Sequence, residues 1–282
     1  MRYWHNDADI YDLAGPVLRS RKGDAVIIGY NKTKIYDPPR QLDFFGSAAA
    51  YFGLEQLPSA QNIPSPENIY SAEVGVKYTN TRQSLGGVDH EKGIAWRAIA
   101  GVDYAESDAY PHIAGGIDYG VPLWWSNSSA WVYAHAGIAG GPSEGPLGAY
   151  YFGNFRNNRV DNRPEKRYRE LEAFPGFSID QIAARKFGKI TGEVNLPPVR
   201  FEEVGTAAFF LSYARPAFFG GAMLTRSPDD RSYQLFDVGA QVDLGFTVVM
   251  RLPMVFSIGV AHGFGDKDID GKTEYMASLK IL

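Results

Sequence analysis

Residues 234–249 read QLFDVGAQVDLGFTVV. Phe236, Val238, Ala240, Val242, Leu244, Phe246 and Val248 occupy every second position, and Asp237, Gly239, Gln241, Asp243, Gly245 and Thr247 lie between them. A period of two describes a β-strand with one greasy face and one wet face, because successive side chains leave the strand on opposite sides. The same reading holds outward from this stretch. Tyr70, Ala72, Val74, Val76 and Tyr78 alternate with Ser71, Glu73, Gly75, Lys77 and Thr79. Ile94, Trp96, Ala98, Ala100, Val102 and Tyr104 enclose Arg97, Gly101 and Asp103, and Tyr275, Ala277, Leu279 and Ile281 alternate with Glu274, Ser278 and Lys280.

Twelve segments carry this pattern: 24–36, 41–53, 68–80, 93–105, 111–121, 128–139, 147–154, 185–197, 204–216, 234–249, 254–265 and 272–282. Soluble strands average about 5–6 residues and membrane-crossing strands need about 9–11, so the lengths favour the second kind. Aromatic residues often begin or end the apolar faces, as at Tyr70, Tyr78, Trp96, Tyr104, Tyr119 and Tyr275, which is where interface girdles would sit. The fold expected is all-β, an antiparallel transmembrane β-barrel occupying residues 1–282 as one domain. A soluble sandwich or propeller also alternates, but the strands are long for a sandwich, and no repeat of 40–50 residues marks propeller blades.

Composition agrees. The chain has 282 residues, a formal charge of -4, no cysteine, and 17 Phe, 17 Tyr and 5 Trp, yet its mean hydropathy is -0.24. Such a value is what a greasy face averaged with a charged face would give. The absence of cysteine excludes a disulfide scaffold and thiolate metal sites. The acidic balance argues against nucleic acid as a partner, and no run of 18 apolar residues offers a transmembrane helix. The opening MRYWHNDADIYDLAGPV has aspartates where a secretory signal needs an apolar core. A barrel must be exported, so the expectation is a piece of a longer exported protein, with a cytosolic chain as the alternative.

Barrels of this kind keep periplasmic turns short and external loops long. With the last strand ending on the periplasmic side, 250–253, 198–203, 140–146 and 106–110 become periplasmic. The external connections are then 266–271, 217–233, 155–184, 122–127 and 81–92. The stretch 54–67 is long on the supposed periplasmic side and breaks the pattern.

The longest connection and the strand after it, NFRNNRVDNRPEKRYRELEAFPGFSIDQIAAR (154–185) and KFGKITGEVNLPP (186–198), resemble the bacterial surface-antigen superfamily. Its members are outer-membrane barrels that insert or translocate polypeptides. The resemblance covers about 147–282 and implies that this connection folds back into the lumen. In the family its tip carries an Arg-Gly-aromatic motif. Pro175-Gly176-Phe177 stands in that place here, with Arg169 or Arg185 as the arginine that would replace the missing one. EYMASLKIL (274–282) is similar to a C-terminal β-signal, and DIYDLAGP (9–16) with NLPPVRF (195–201) resembles a subgroup in which an upstream β-propeller precedes the barrel. Family barrels have sixteen strands with five after the folded-back loop, and five follow it here. Seven precede it where eleven are expected, which implies four strands upstream of Met1 and an isolated chain that is not a functional pore.

The implied role is assembly or translocation of polypeptides at the bacterial outer membrane. The implied partners are outer-membrane lipid and lipopolysaccharide, client polypeptides and an upstream periplasmic domain. The expected gating set is Arg169, Phe174, Gly176, Phe177, Asp180, Arg185, Lys189, Glu193, Asp237 and Asp243. Lys189 and Glu193 share one strand face, Asp237 and Asp243 another, and Arg156, Arg159, Arg163, Lys166, Arg167 and Arg169 of the loop offer them charge. An ordinary hydrated channel wall explains the same inward charges equally well, which leaves a passive channel or anchoring barrel as the first alternative and a soluble β-rich binding protein as the second.

No enzyme, cofactor or metal site is expected. Gly141-Pro142-Ser143-Glu144-Gly145 matches a nucleophile elbow, but no helical pattern follows it, as that motif requires. Asp266, Asp268, Asp270 and Gly271 open like a calcium loop, but Ala277 stands where the bidentate Glu belongs, so a polar hairpin is the better reading. The five histidines show no ligand spacing. His135 is a lumen-facing candidate without identifiable partners.

Overall fold

The computed structural model describes residues 1–6, 11–12, 19–20, 23–54, 66–142, 145, 147–155, 166–202, 204–206, 208–249, 251–266 and 268–281. Twelve strands build one barrel-like antiparallel sheet: β1 Arg2–Asn6, β2 Gly23–Asp37, β3 Arg40–Phe52, β4 Ile69–Arg82, β5 Lys92–Ala105, β6 Asp108–Pro122, β7 Ser129–Ala139, β8 Lys186–Asn195, β9 Phe209–Arg226, β10 Ser232–Val248, β11 Leu252–Phe264 and β12 Thr273–Ile281. Each pairs with its neighbour in sequence, so the order is a plain meander. Two short strands, Val199–Arg200 and Gly205–Thr206, also pair with β9. Among the described residues no pairing joins β12 to β1.

Alternation becomes burial in the inverse of the usual sense. On β8 the residues Phe187, Lys189, Thr191, Glu193 and Asn195 are buried, while Gly188, Ile190, Gly192 and Val194 are exposed. On β10 Asp237, Gln241 and Asp243 are buried, and Phe236, Val238 and Val242 are exposed. Ile117 and Tyr119 on β6, Phe218 and Leu224 on β9, Ile258 and Val260 on β11, and Tyr275 and Leu279 on β12 continue the exposed apolar face.

The segment 147–154 does not join the wall. Tyr150–Phe152 pairs with Ile182–Ala184 instead, and all three of its residues are buried. A wall strand needs one face that can meet the outside. This one is aromatic on both sides and is satisfied only inside. β7 therefore pairs directly with β8, from Ser129↔Asn195 to Ile138↔Lys186, and everything from 140 to 185 is a single connection. Losing one crossing reverses the expected ends of the connections N-terminal to it. The connections 53–68 and 106–107 lie at the end that bears 140–185, whereas 83–91 and 123–128 lie at the far end with 196–208. The long 53–68 stretch thus joins the end that bears 140–185, but the short 106–107 connection joins it too and the long 196–208 lies at the far end, so loop length does not sort the two ends. Two further differences follow the same logic. β9 runs to Arg226, so the expected 217–233 connection shrinks to 227–231, and β1 is a strand without an alternating signature.

Candidate functional site

The described residues of the 140–185 connection pack on the inner face of the sheet. Phe152, Phe174, Phe177, Ile182 and Ala184 of that connection pack with Ala114, Phe187, Met223 and Leu235 of the wall in one buried cluster. Deeper in, Phe155 and Tyr168 pack with Phe219 and Ala261, the Tyr168 and Phe219 rings stacking at 4.0 Å. Phe174 and Phe177 stack at 5.3 Å. A buried connection must find partners for its own peptide groups. Asn154 and Phe174 bridge (Phe174 N to Asn154 O, 3.1 Å), and the Lys189 ammonium donates to the carbonyls of Glu170 (2.7 Å) and Ala173 (2.8 Å).

The tip lies on the C-terminal hairpin. Gly176 has φ +86°, and a Cβ there would stand 2.1 Å from the backbone nitrogen of Gly263 on β11. Only a residue without a side chain permits that approach. Its amide donates to Glu274 Oε2 on β12 (3.0 Å), and its carbonyl accepts from Lys272 N (2.8 Å). Asp180 sits nearby in a left-handed turn, φ 52°, and is buried. Arg185 donates to the Gly141 carbonyl (2.9 Å) and so ties the two ends of the connection together.

The charged centre lies toward the far end. A single 3₁₀ turn, Arg167–Arg169, holds Arg169 over Glu193, which is 2% exposed. Arg169 donates from Nε to Glu193 Oε2 (2.7 Å) and from Nη2 to Oε1 (2.5 Å), a two-pronged contact that fits the planar guanidinium. Lys166 adds a third bond to Glu193 Oε1 at 3.1 Å and also contacts Asn195. Asp89, on the 83–91 connection, accepts from Arg169 Nη2 at 2.9 Å and lies 3.4 Å from Arg215 Nη1. Arg215 also donates to Asp243 (2.9 Å), which accepts from Gln241 (2.6 Å) and Ser257 (2.7 Å). Three cations and three carboxylates thus share one network, in which Lys166, Glu193, Arg215 and Asp243 are buried and Arg169 and Asp89 are part-exposed. Burial alone would raise the Asp89 carboxyl, but Arg169, Arg215 and Lys166 outweigh it and hold it down at about 2. Burial pushes the Lys166 ammonium down to about 8, against the pull of Glu193.

The residues expected from sequence therefore separate. Arg169, Lys166 and Glu193 meet; Phe174, Gly176 and Phe177 form the docked tip; Lys189 donates to two loop carbonyls. Asp243 pairs with the wall residue Arg215 rather than with the loop, and Asp237 lies against Gly221 beside Phe174. Arg156, Arg159 and Arg163 lie outside the described residues, as do Ser143 and Glu144 of the elbow-like motif. Asp89, Arg215, Asn195 and Gln241 were not anticipated. Arg215 does stand on the inward period of β9, with Ala217 and Phe219.

Elsewhere on the wall, Ser71 donates to Asp103, and His112 Nδ1 lies 3.5 Å from the same carboxylate. The hydroxyl is held by the acid rather than by the ring, which is not the order that activates a nucleophile. His135 Nε2 lies 3.7 Å from Asp118. Asp268 pairs with Arg231 at 3.2 Å, and among the described residues no group of His, Asp and Glu is gathered to hold a metal ion.

Neither a family model nor a curated protein matches this chain.

Proposed function

We propose that this chain is the wall of a bacterial outer-membrane β-barrel of the surface-antigen type. In this reading the 140–185 connection plugs its lumen, and its work is assembly or translocation of polypeptides. One observation carries the membrane placement: the sheet is inside out. Tyr275 is 80% exposed, Val74 63% and Leu224 61%, while Glu193, Asp243 and Lys189 are buried within. Each large apolar side chain left in water forgoes about 1.5–3 kcal/mol of burial. A hydrocarbon shell removes that loss along the whole outer face, and β8–β12, of 9–18 residues, are long enough to cross it.

The polypeptide-handling role rests on the resemblance of 147–282 and on its expected attribute, a long connection folded inward with its tip fixed to the wall. The test has two arms. The chain refolded with lipid should float with vesicles and migrate differently before and after boiling; a monomer soluble in water without detergent overturns every barrel reading. Depletion of the protein in its bacterium should then leave other outer-membrane proteins unassembled. Normal assembly, combined with ion conductance that rises when 156–184 is deleted, would replace the polypeptide role with a passive channel.

A further inference from the structure

The 83–91 connection comes from the end of the sheet opposite the plug, yet it reaches the plug's charged centre. Its own fastening is extensive. Arg200, beyond β8, contacts the Gly86 carbonyl, and Asn127 donates to Glu91 Oε1 (3.0 Å) and to the Leu85 carbonyl (3.5 Å). Trp131 Nε1 donates to the His90 carbonyl at 3.2 Å, and Ser84 contacts Glu91. The connection between β4 and β5 is thereby carried across to β7 and to the segment after β8, as a floor beneath the plug. Asp89 joins it to the network, shared between Arg169 of the plug and Arg215 of the wall, with His90 Nδ1 3.8 Å from its other oxygen.

We propose that the 83–91 floor is a latch on the plug, with Asp89 as its positioning residue, so that the plug cannot leave Glu193 without the floor also letting go. Arg169 is the shared element: Nη2 serves Asp89 and Glu193 together, while Nε serves Glu193 alone. Withdrawing the plug takes Arg169 away from Asp89, and Lys166 with it, and leaves only Arg215. Swinging the floor away leaves the triad Lys166, Arg169 and Arg215 facing only Glu193 and Asp243. Each movement thus exposes an uncompensated buried charge, which is the physical content of coupling between the two segments. A partner that pulls on 83–91 from the far end would therefore release the plug without touching it. This rests on reading 140–185 as a segment docked against the inner face of the sheet, but not on the membrane placement.

Amide hydrogen exchange on the folded chain tests it, in detergent micelles or in plain buffer if the chain proves soluble. A failed membrane reading therefore leaves the test intact. Asp89→Asn should speed exchange across 166–171, and Arg169→Gln should speed it across 84–91, each about tenfold, as befits loss of one bond to a charged group. The double variant should exceed the larger single effect only slightly, because the two side chains share one interaction. Asp89→Glu should restore slow exchange, and Asp268→Asn, whose pair with Arg231 lies at the other end, should change neither segment. Wild-type exchange at 166–171 in a folded Asp89→Asn chain overturns the latch. If that variant fails to fold, Asn127→Ala loosens the floor from outside the network. Exchange at 166–171 must then rise, and unchanged rates overturn the proposal equally.

Discussion

Glu193 carries the most concentrated load in the molecule, since its two oxygens answer Arg169 and Lys166 together. Glu193→Gln keeps the shape but leaves the buried Lys166 and the part-exposed Arg169 facing an amide. Breaking a buried pair from one side costs about 3–5 kcal/mol, and urea unfolding of the folded chain should show a loss of that order, with Glu193→Asp losing less. The acid limb of stability should belong in part to Asp89. Its carboxyl is held at about 2 against an ordinary 3.8, so the unfolded chain takes up the proton first. The contribution is complete above about pH 4 and disappears as pH falls toward 2. Asp89→Asn should flatten that part of the curve, and an unchanged limb would count against the network. Lys166 acts at the other end. Between about 8 and 10.5 the folded state binds fewer protons than the unfolded one, so stability should rise with pH there. Glu193 was legible from sequence because it stands at the alternate position of a regular strand. Asp89 was not, because a connection has no period and nothing in SLGGVDHE announces which way its carboxylate turns.

At the scale of the element, alternation shows only where the two faces meet different surroundings. β10 presents Asp237, Gln241 and Asp243 inward and apolar residues outward, and its pattern is plain. β9 is different beyond Pro216. Its inward Phe219 and Met223 meet the aromatic plug and its outward Phe218 and Leu224 meet the outside, so both faces are greasy and the period disappears into AFFGGAML. The same packing hid the nature of 147–154, whose aromatic residues serve the plug. The outer face is the element's testable property. Ile190→Lys and Val238→Arg point away from the sheet and should cost about 2–4 kcal/mol near a bilayer midplane, measured by urea titration in vesicles. The same substitutions would be nearly neutral if that face met water. The docked tip supplies the complementary case. Gly176→Ala forces a methyl against the Gly263 backbone, should cost about 1–3 kcal/mol, and should open 166–185 to protease while leaving β10 amides protected. An uncleaved tip would mean that the contact with β11 is not what holds it.

For the molecule as a whole, the decisive feature is the edge that the meander leaves open. β1 covers only Gly23–Ile27 of β2, with Tyr3 and His5 both bonded to Asp24. Among the described residues, 28–37 has no neighbour on that side, and β12 has none beyond β11. In micelles water reaches such an edge, and the outward-pointing amides of 28–37 should exchange rapidly while those of β10, paired on both sides, persist. Hydrocarbon does not tolerate unpaired peptide groups, each costing several kcal/mol. On transfer to vesicles the edge must therefore find a partner, and the nearest identical strand is that of a second copy. Antiparallel pairing of two such edges is self-complementary, and Thr33 lies near the middle of 28–37. Because the chain has no cysteine of its own, Thr33→Cys provides a clean probe. Cross-linked dimers should form in vesicles, with slow exchange at 28–37, and should diminish in micelles. If 28–37 stays rapidly exchanging and monomeric in vesicles, that edge is in water and the placement of the sheet across the membrane falls with it.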